Sequence, residues 1–266
     1  MIRAKKRLGQ NFLTSKSIVS LIVKSAEVNQ KDTVLEAGPG KGVLTAELLK
    51  RADKVIAVEK DKELVDFLKD KFELEIKSGK LELIFGDILK FNLDNHQLMA
   101  NNYKIVANIP YYITSRFLKT FLEEKKQPEK IVLLIQKEVA DRITARDNKG
   151  SILSISVKAY GDPKIIKKVP ASFFHPKPKV DSAIILIDNI SKKNFQNINE
   201  KTFFSLLKKG FSSKRKLLKN NLNLPNTEGL VKCGVPGNAR AENLSMENWL
   251  CLLKNQTDVE ISANKL

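Results

Sequence analysis

Four consecutive residues, Asn108-Ile109-Pro110-Tyr111, follow an apolar run and carry the most specific chemistry in this sequence. The side-chain oxygen of Asn108 and the backbone carbonyl near Ile109 are two acceptors, and Pro110 stiffens the turn that aims them. Two such acceptors match the two N–H bonds of an exocyclic base amine such as adenine N6. The ring of Tyr111 offers a flat face on which an extruded base can stack. The motif therefore predicts a site that orients a base amine for an in-line displacement, without a general base. The alternative is a proline-containing turn beside a core tyrosine.

A glycine-rich turn, residues 36–42 (EAGPGKG), separates the first apolar run from the first helical stretch. Glycine permits a tight turn there and lets a ligand approach the backbone closely. Its Glu-x-Gly-x-Gly-x-Gly spacing lacks the wider final interval of the dinucleotide fingerprint. Glu59, at the end of the next apolar run, is placed to accept hydrogen bonds from ribose hydroxyls. We predict that Gly38 and Glu59 bind S-adenosylmethionine, against the alternative of an ordinary turn between a strand and a helix.

Asp87 ends the third apolar run and is a further candidate in the same site. A carboxylate at that strand end can accept the adenine amine of the cofactor. Aspartate is also a common helix cap, so this position is weak evidence taken alone.

The elements that position these residues are short β-branched runs alternating with helical stretches. Such alternation predicts βαβ units and a Rossmann-like α/β sheet that is mostly parallel. Two later runs, 164–169 and 183–187, flank a proline-rich loop and predict antiparallel strands at one edge. The predicted parallel strands are 33–35, 55–58, 81–85, 105–107 and 131–135, and the predicted helices are 42–51, 61–72, 114–124 and 138–146.

After residue 187 the strand-like runs give way to amphipathic helical stretches, 200–209, 214–222 and 242–254. We therefore predict a methyltransferase domain of residues 1–188 and a small C-terminal α-helical domain of residues 189–266.

The charge of the chain favours a polyanionic partner. Its 266 residues hold 47 Lys and Arg against 30 Asp and Glu, a formal net charge of +17. Such an excess promotes nucleic-acid binding, although a merely well-solvated basic surface is the alternative.

The two cysteines, Cys233 and Cys251, fit no zinc spacing, so no metal site is predicted. We expect both to be reduced in a cytoplasmic protein. The basic first residues lack the apolar segment of a secretory signal, and no apolar run is long enough to span a membrane.

These motifs together resemble the small-subunit ribosomal RNA adenine dimethyltransferase family (the KsgA/Dim1 family). The resemblance covers nearly the whole chain, and its motifs are specific in combination rather than singly. One departure is Lys177, where the family often has proline. The matching segments are 7–13 (RLGQNFL), 36–42, 108–111, 136–142 (QKEVADR), 169–182 (VPASFFHPKPKVDS), 211–216 (FSSKRK) and 219–222 (KNNL).

The resemblance implies a class I methyltransferase fold that uses S-adenosylmethionine. It also implies dimethylation of N6 of two adjacent adenosines near the 3′ end of 16S ribosomal RNA, within the 30S subunit or its precursor. We expect a monomer.

The resemblance further implies roles for individual residues. Asn11 and Leu13 would close over the methionine end of the cofactor, and Asn108 would contact both cofactor and target nitrogen. Phe174 would pack on the target base opposite Tyr111, whereas Phe173 is assigned to the core.

Several basic residues are candidates for RNA contact. Arg142 and Arg146 lie four apart on one predicted helix face, and Lys214, Arg215 and Lys216 form a dense cluster. Each can pair with phosphate, which positions RNA without reading its sequence. A solvated helix face is the alternative for any one of them.

Four other functions remain to be weighed. The nearest is a methyltransferase of the same fold that acts on large-subunit ribosomal RNA, and the segments 136–142 and 214–222 disfavour it. A DNA adenine methyltransferase lacks a visible target-recognition region. An assembly factor that lost its activity is disfavoured by the intact Asn108, Pro110 and Tyr111. A nicotinamide dehydrogenase would need a proton-transfer residue and the wider glycine spacing.

Overall fold

The computed structural model describes residues 4–96, 98, 102–145 and 149–263. The chain divides into two compact units, Met1–Ala140 with Asp162–Ile190, and Asp141–Gly161 with Ser191–Leu266. The sequence predicted a single boundary after residue 188. It did not predict that the earlier segment 141–161 also belongs to the second unit. Residues 141–161 group with the C-terminal unit because backbone hydrogen bonds connect them to it. The amide of Gly150 donates to the carbonyl of Glu242 at 2.7 Å, and that of Ser191 donates to Tyr160 at 2.8 Å.

The strands of the first unit form a mostly parallel sheet. They are β1 (Phe12–Leu13), β2 (Thr33–Ala37), β3 (Lys54–Glu59), β4 (Leu81–Phe85), β5 (Tyr103–Asn108), β6 (Lys130–Gln136), β7 (Asp162–Val169), β8 (Phe174–His175) and β9 (Ser182–Asp188). Among the described residues, seven of them pair in the order β4-β3-β2-β5-β6-β9-β7. β9 is antiparallel to both β6 and β7, while β1 pairs separately with β8. The predicted α/β sheet with antiparallel strands at one edge is confirmed.

Helices connect these strands and cover the sheet. They are α1 (Lys16–Ser25), α2 (Val43–Leu49), α3 (Lys62–Lys71), α4 (Glu73–Lys77), α5 (Thr114–Glu123) and α6 (Lys137–Thr144), which crosses from the first unit into the second. α1 was not predicted, although Ser15 caps its first turn and its apolar residues recur on one face. That face is buried with β2, β5 and α2 residues in one core, whose members include Ile18, Ile22, Val34, Leu48 and Val106.

The turn between β2 and α2 can be built only with glycine at its last position. Gly42 has φ of +72°, and a Cβ there would stand 2.5 Å from the Phe72 ring and 2.7 Å from Leu68. Gly38 and Gly40 also have positive φ, at +66° and +58°. Because side chains rarely tolerate these angles, the glycines let the backbone turn sharply at the carboxyl end of β2.

The second unit is helical. Its helices are α7 (Ile152–Lys158), α8 (Glu200–Gly210), α9 (Leu218–Leu222), α10 (Glu228–Lys232) and α11 (Met246–Ala263). Trp249 is fully buried and stacks on Phe211 with ring centroids 5.7 Å apart. The prediction of a helix over 214–222 was wrong at its start, because Lys214, Arg215 and Lys216 lie in the loop before α9.

Cys233 and Cys251 are joined in a disulfide, which corrects the expectation that both are reduced. Cys233 directly follows α10 and Cys251 lies in the second turn of α11, and their Cα atoms are 5.7 Å apart, within the range that a disulfide spans. Sequence spacing gave no sign of this approach, because it depends on how the two helices pack. Among the described residues, no helix combines the length and apolarity needed to cross a membrane.

Candidate functional site

The carboxyl ends of the parallel strands border a cavity of about 220 Å³ in the first unit. Ligands of α/β sheets bind at this edge because the loops that follow parallel strands meet there. Residues predicted from the sequence line it together: Asn11, Leu13, Gly38, Glu59, Asp87, Asn108, Pro110 and Tyr111. Their individual roles remain predictions.

Glu59 is buried at the end of β3 and organises the cavity wall. Its Oε1 accepts from the amides of Lys60 at 2.8 Å and Asp61 at 2.9 Å, and its Oε2 accepts from Gly40 at 3.1 Å. Burial raises the pKa of the Glu59 carboxyl, although these amide hydrogen bonds oppose the rise. A carboxylate has about four acceptor positions, so Glu59 retains capacity for a hydroxyl of a bound ligand.

Glu36, in β2, is a buried acid of the same cavity that was not singled out from the sequence. Its Oε2 has no hydrogen-bond partner among the described residues. Burial raises the pKa of this carboxyl to about 8, and the nearby carboxylate of Glu59 adds to the rise. An unpartnered acidic oxygen in a cavity wall suits a ligand that brings a hydrogen-bond donor or a positive charge.

We expect the contribution of Glu36 to the free energy of unfolding to fall as pH rises from about 4.5 to about 8, and to be constant above that. A raised pKa means that the folded protein binds the proton more tightly, so the stabilisation is full at low pH and is lost as the acid ionises. The slope is at most about 1.4 kcal/mol per pH unit.

The measurement is urea unfolding of the wild type and Glu36→Gln across this pH range without cofactor. Glu47→Gln is the control, because the hydrogen bond from Lys50 lowers the pKa of the Glu47 carboxyl, the opposite direction to the shift at Glu36. A wild-type minus Glu36→Gln difference that does not change with pH would show that Glu36 is not a neutral buried acid.

Asp87 follows β4 and forms an ion pair at the mouth of the cavity. Its Oδ2 accepts from Lys60 Nζ at 2.7 Å, and its Oδ1 accepts from the amide of Leu89 at 3.1 Å. The hydrogen bond from Lys60 lowers the pKa of the Asp87 carboxyl, so it is ionised at neutral pH. Asp87 is thus both the cap of a short helical turn and an available acceptor.

Asn108, the last residue of β5, is oriented by a backbone group of the N-terminal segment. Its Nδ2 donates to the carbonyl of Asn11 at 3.2 Å. Because a carbonyl can only accept, this bond fixes which end of the amide is the nitrogen and leaves Oδ1 as an acceptor. No described residue donates to that oxygen.

The N-terminal strap, residues 4–14, covers one side of the cavity. Asp61 accepts from Lys5 Nζ at 2.7 Å and from Gln10 Nε2 at 2.9 Å. The Phe12 ring lies against Gly40, where a Cβ would come within 3.1 Å of it. The strap is therefore tied to the first unit at several separate points.

Tyr111 lines the cavity with its ring held at the hydroxyl end. Its hydroxyl and the Oγ of buried Ser182 share a hydrogen bond of 2.7 Å. Burial raises the pKa of the Tyr111 phenol, which keeps it neutral. Pro110 precedes it with φ of −56° and ψ of 133°, an extended conformation that ends β5 and turns the chain toward α5.

Phe174 is not among the residues that line the cavity, and its predicted contact with the target base stays a prediction. It is 4% exposed and belongs to the core. The reason is the pairing of β8 with β1, which sets Phe174 opposite Leu13. Phe173, assigned to the core from the sequence, is only partly buried against that core.

The predicted RNA contacts fall in the second unit. Lys214, Arg215 and Lys216 are exposed, and no described residue forms an ion pair with them. Their loop is held by buried Asn221, whose Nδ2 donates to the carbonyls of Gly210 at 2.6 Å and Ser213 at 2.9 Å. Arg142 is exposed on α6, whereas Arg146 lies outside the described residues.

A model of the family described as ribosomal RNA adenine dimethylase matches residues 1–258 of the chain. The chain belongs to the ribosomal RNA adenine dimethylase family. This confirms the resemblance seen in the sequence motifs.

Curated members of the adenine dimethylase family are similar over nearly their whole length. One from Dehalococcoides mccartyi, named ribosomal RNA small subunit methyltransferase A, is 43% identical over 94% of this chain and 88% of its own. One of the same name from Clostridium botulinum is 37% identical over 92% and 90%.

Two solved structures resemble the whole chain. The dimethyladenosine transferase from Plasmodium falciparum is 27% identical, with a TM-score of 0.77 over 93% of this chain and 98% of its own. The 23S ribosomal RNA methyltransferase ErmE is 27% identical, with a TM-score of 0.74 over 92% and 98%. The fold is thus that of the class I methyltransferases.

Proposed function

We propose that this protein dimethylates N6 of two adjacent adenosines near the 3′ end of 16S ribosomal RNA, using S-adenosylmethionine. The observation that carries the proposal is the position of Asn108, whose acceptor oxygen faces an acid-lined cavity at the sheet edge. Family membership supports the same reaction. We further propose that the substrate is the 30S subunit or its precursor and that the enzyme acts as a cytoplasmic monomer.

The cavity fits S-adenosylmethionine by the chemistry of its walls. That cofactor presents an ammonium group, two ribose hydroxyls and an adenine amine, all hydrogen-bond donors, beside a positive sulfonium. The acids of the lining are Glu36, Glu59 and Asp87, which supply acceptors, and ionised Asp87 adds negative charge. Gly38 and Gly40 leave the turn without side chains. Glu59 would hold the ribose and Asp87 the adenine, while Asn11, Leu13 and Gly38 would lie against the cofactor.

When bound, the cofactor supplies an electrophilic methyl group. The chain's own part is to orient the acceptor nitrogen, whose lone pair is delocalised into the adenine ring. Asn108 Oδ1 and the carbonyl near Ile109 would accept its two N–H bonds, which favours a pyramidal nitrogen and aims the lone pair. Tyr111 would support the base by stacking. Once methylated, the nitrogen is acidic and releases its proton to water, so no general base is needed.

The second candidate is methylation of large-subunit ribosomal RNA, favoured by the likeness to ErmE. The structural comparison does not separate the two, because ErmE and the Plasmodium enzyme are equally identical in sequence to this chain. The curated relatives at 37–43% identity are all named for the small subunit, and we therefore prefer that substrate.

We also propose that the loop of Lys214, Arg215 and Lys216 binds RNA phosphates. Changing all three to glutamine is expected to weaken RNA binding and to lower the slope of log affinity against log salt by about 2. Filter binding of small-subunit RNA over a salt series measures both. Lys201→Gln, at an exposed position on α8, is the control for a general loss of charge. An unchanged salt slope in the triple variant would show that these three side chains do not contact RNA phosphates.

The test of the function is methyl transfer from labelled S-adenosylmethionine to small-subunit particles that lack adenine dimethylation. Large subunits and naked DNA are the parallel substrates, and mass mapping identifies the nucleoside. Dimethyladenosine in small-subunit RNA alone is the expected result. Label in large-subunit RNA would favour the second candidate, and binding without label would favour an assembly factor.

A further inference from the structure

Tyr112 is an exposed aromatic residue at the mouth of the cavity to which the mechanism gives no role. Tyr112 is 63% exposed. The preceding residue, Tyr111, differs in that its hydroxyl is hydrogen-bonded to buried Ser182. One side of the Tyr112 ring lies close to the backbone of Gly9, where a Cβ would come within 3.2 Å of its Cε1 and 3.4 Å of its Cδ1. Gly9 has φ of +64°, so the strap turns at that point without a side chain and leaves room for the ring. Tyr112 thus packs beside the strap and is accessible at the cavity mouth.

Arg116 lies one helical turn beyond Tyr112 and lines the same cavity. It is exposed, and no described residue forms a hydrogen bond or ion pair with it. Lys119, on the same helix, differs in that its Nζ is 3.9 Å from Glu123. Arg116 therefore presents an unused guanidinium at the cavity mouth.

Lys60 connects this pair to the rest of the mouth. Lys60 and Arg116 both line the cavity. The hydrogen bond with Asp87 raises the pKa of Lys60, and the charge of Arg116 opposes that rise. Tyr112 also lies within electrostatic range of Lys60. The cavity accordingly has the buried carboxyl groups of Glu36 and Glu59 inside and the cations Lys60 and Arg116 in its exposed lining.

We propose that Tyr112 and Arg116 form a binding subsite for the nucleotide next to the target adenosine in a single-stranded RNA segment. The base would stack on the exposed face of Tyr112, and its phosphate would pair with Arg116. This inference rests on the proposed function. It adds a contact that selects an unpaired flanking nucleotide.

The position of the flanking nucleotide depends on where the target base must go. An adenine that reaches Asn108 is extruded from its strand, so the adjoining phosphate and base stay at the mouth. Stacking on an aromatic ring tolerates any base, and a guanidinium pairs with phosphate through two parallel hydrogen bonds. Both kinds of group are found at this mouth.

The other occupant of this position would be the adenine end of the cofactor, near Asp87. Arginine carries donors only, so Arg116 cannot pair with the exocyclic amine of that adenine and would meet its ring nitrogens through single hydrogen bonds, whereas phosphate accepts two in parallel. A phosphate, which only accepts at neutral pH, is the better partner for it. We therefore assign the pair to RNA.

The test uses the full chain and a short single-stranded RNA with two adjacent adenosines, titrated at about 50 to 200 mM salt. Tyr112→Ala is expected to weaken RNA binding about tenfold or more, and Tyr112→Phe to retain it. Arg116→Gln is expected to lower the salt slope by about 0.7, and the control Lys119→Gln to leave it unchanged. Affinity for S-adenosylmethionine is expected to stay at the wild-type value in all four variants.

Wild-type RNA affinity and salt slope in both Tyr112→Ala and Arg116→Gln would overturn the subsite. Loss of cofactor affinity with RNA affinity retained would also overturn it, since it would assign the pair to the cofactor. A wild type that binds RNA through these residues but methylates neither this RNA nor small-subunit particles would refute the proposed function alone. A wild type that methylates RNA, with both variants unaffected, would refute only the subsite.

Discussion

Asn108→Ala is expected to lower the rate constant of methyl transfer by at least about 10²-fold while RNA affinity is retained. The substitution removes Oδ1, the acceptor that would orient the target nitrogen. It also removes the Nδ2 donor that binds the carbonyl of Asn11 at 3.2 Å. A single-turnover assay with saturating RNA and cofactor isolates the chemical step from binding.

Asn108→Asp separates the two contributions of this amide. It keeps an acceptor oxygen toward the target, but it sets a carboxylate oxygen against the Asn11 carbonyl, where no hydrogen bond can form. We expect a rate between those of the wild type and Asn108→Ala, with weaker cofactor binding because the strap is repelled. Wild-type turnover in Asn108→Ala would refute the role of Asn108.

Glu59→Ala is expected to lower the affinity for S-adenosylmethionine by about 10²-fold or more. The change leaves the buried amides of Gly40, Lys60 and Asp61 without their acceptor, and hydrogen bonds to charged groups contribute about 1.5–3 kcal/mol each. It also removes the group assigned to the ribose. Calorimetric titration of the cofactor measures the loss, and thermal unfolding without cofactor reports the accompanying loss of stability.

Glu59→Gln tests the same site with less damage to the fold. The amide keeps one acceptor oxygen but turns a donor toward the amide of Gly40 or toward the ligand, so we expect a loss of about tenfold. Glu63→Gln is the matched control, since Glu63 is exposed on α3 and pairs only with Lys5 among the described residues. Cofactor affinity that survives in Glu59→Ala would exclude Glu59 from the binding site.

The sheet and much of the cavity lining could be predicted from the sequence. Buried parallel strands are continuous apolar runs, and polar residues stand where each run ends. Parallel strands have their carboxyl ends at one edge, so Glu59, Asp87 and Asn108 had to lie close together. The sharp turn after β2 could be predicted from its glycines, because glycine adopts positive φ without a steric penalty.

Other features depend on packing that no local pattern records. Adjacent phenylalanines at 173 and 174 have the same chemistry, and only the pairing of β8 with β1 decides which one is buried. The disulfide depends on the approach of α10 and α11, and the grouping of residues 141–161 depends on contacts distant in sequence. Glu36 belongs to the glycine-rich motif, but that its Oε2 lacks a hydrogen-bond partner among the described residues depends on the positions of the surrounding atoms.

The hydrogen bond between the Asn108 side chain and the backbone carbonyl of Asn11 gives one amide two partners. The nitrogen end of the amide meets the strap, and the oxygen end would meet the target base. Breaking this hydrogen bond would free the Asn108 amide to rotate, and its oxygen would no longer be directed at the target base. Fixing the side chain again would cost about 1 kcal/mol of conformational entropy. An acceptor aligned for the target base therefore exists only while the strap keeps this hydrogen bond to Asn108.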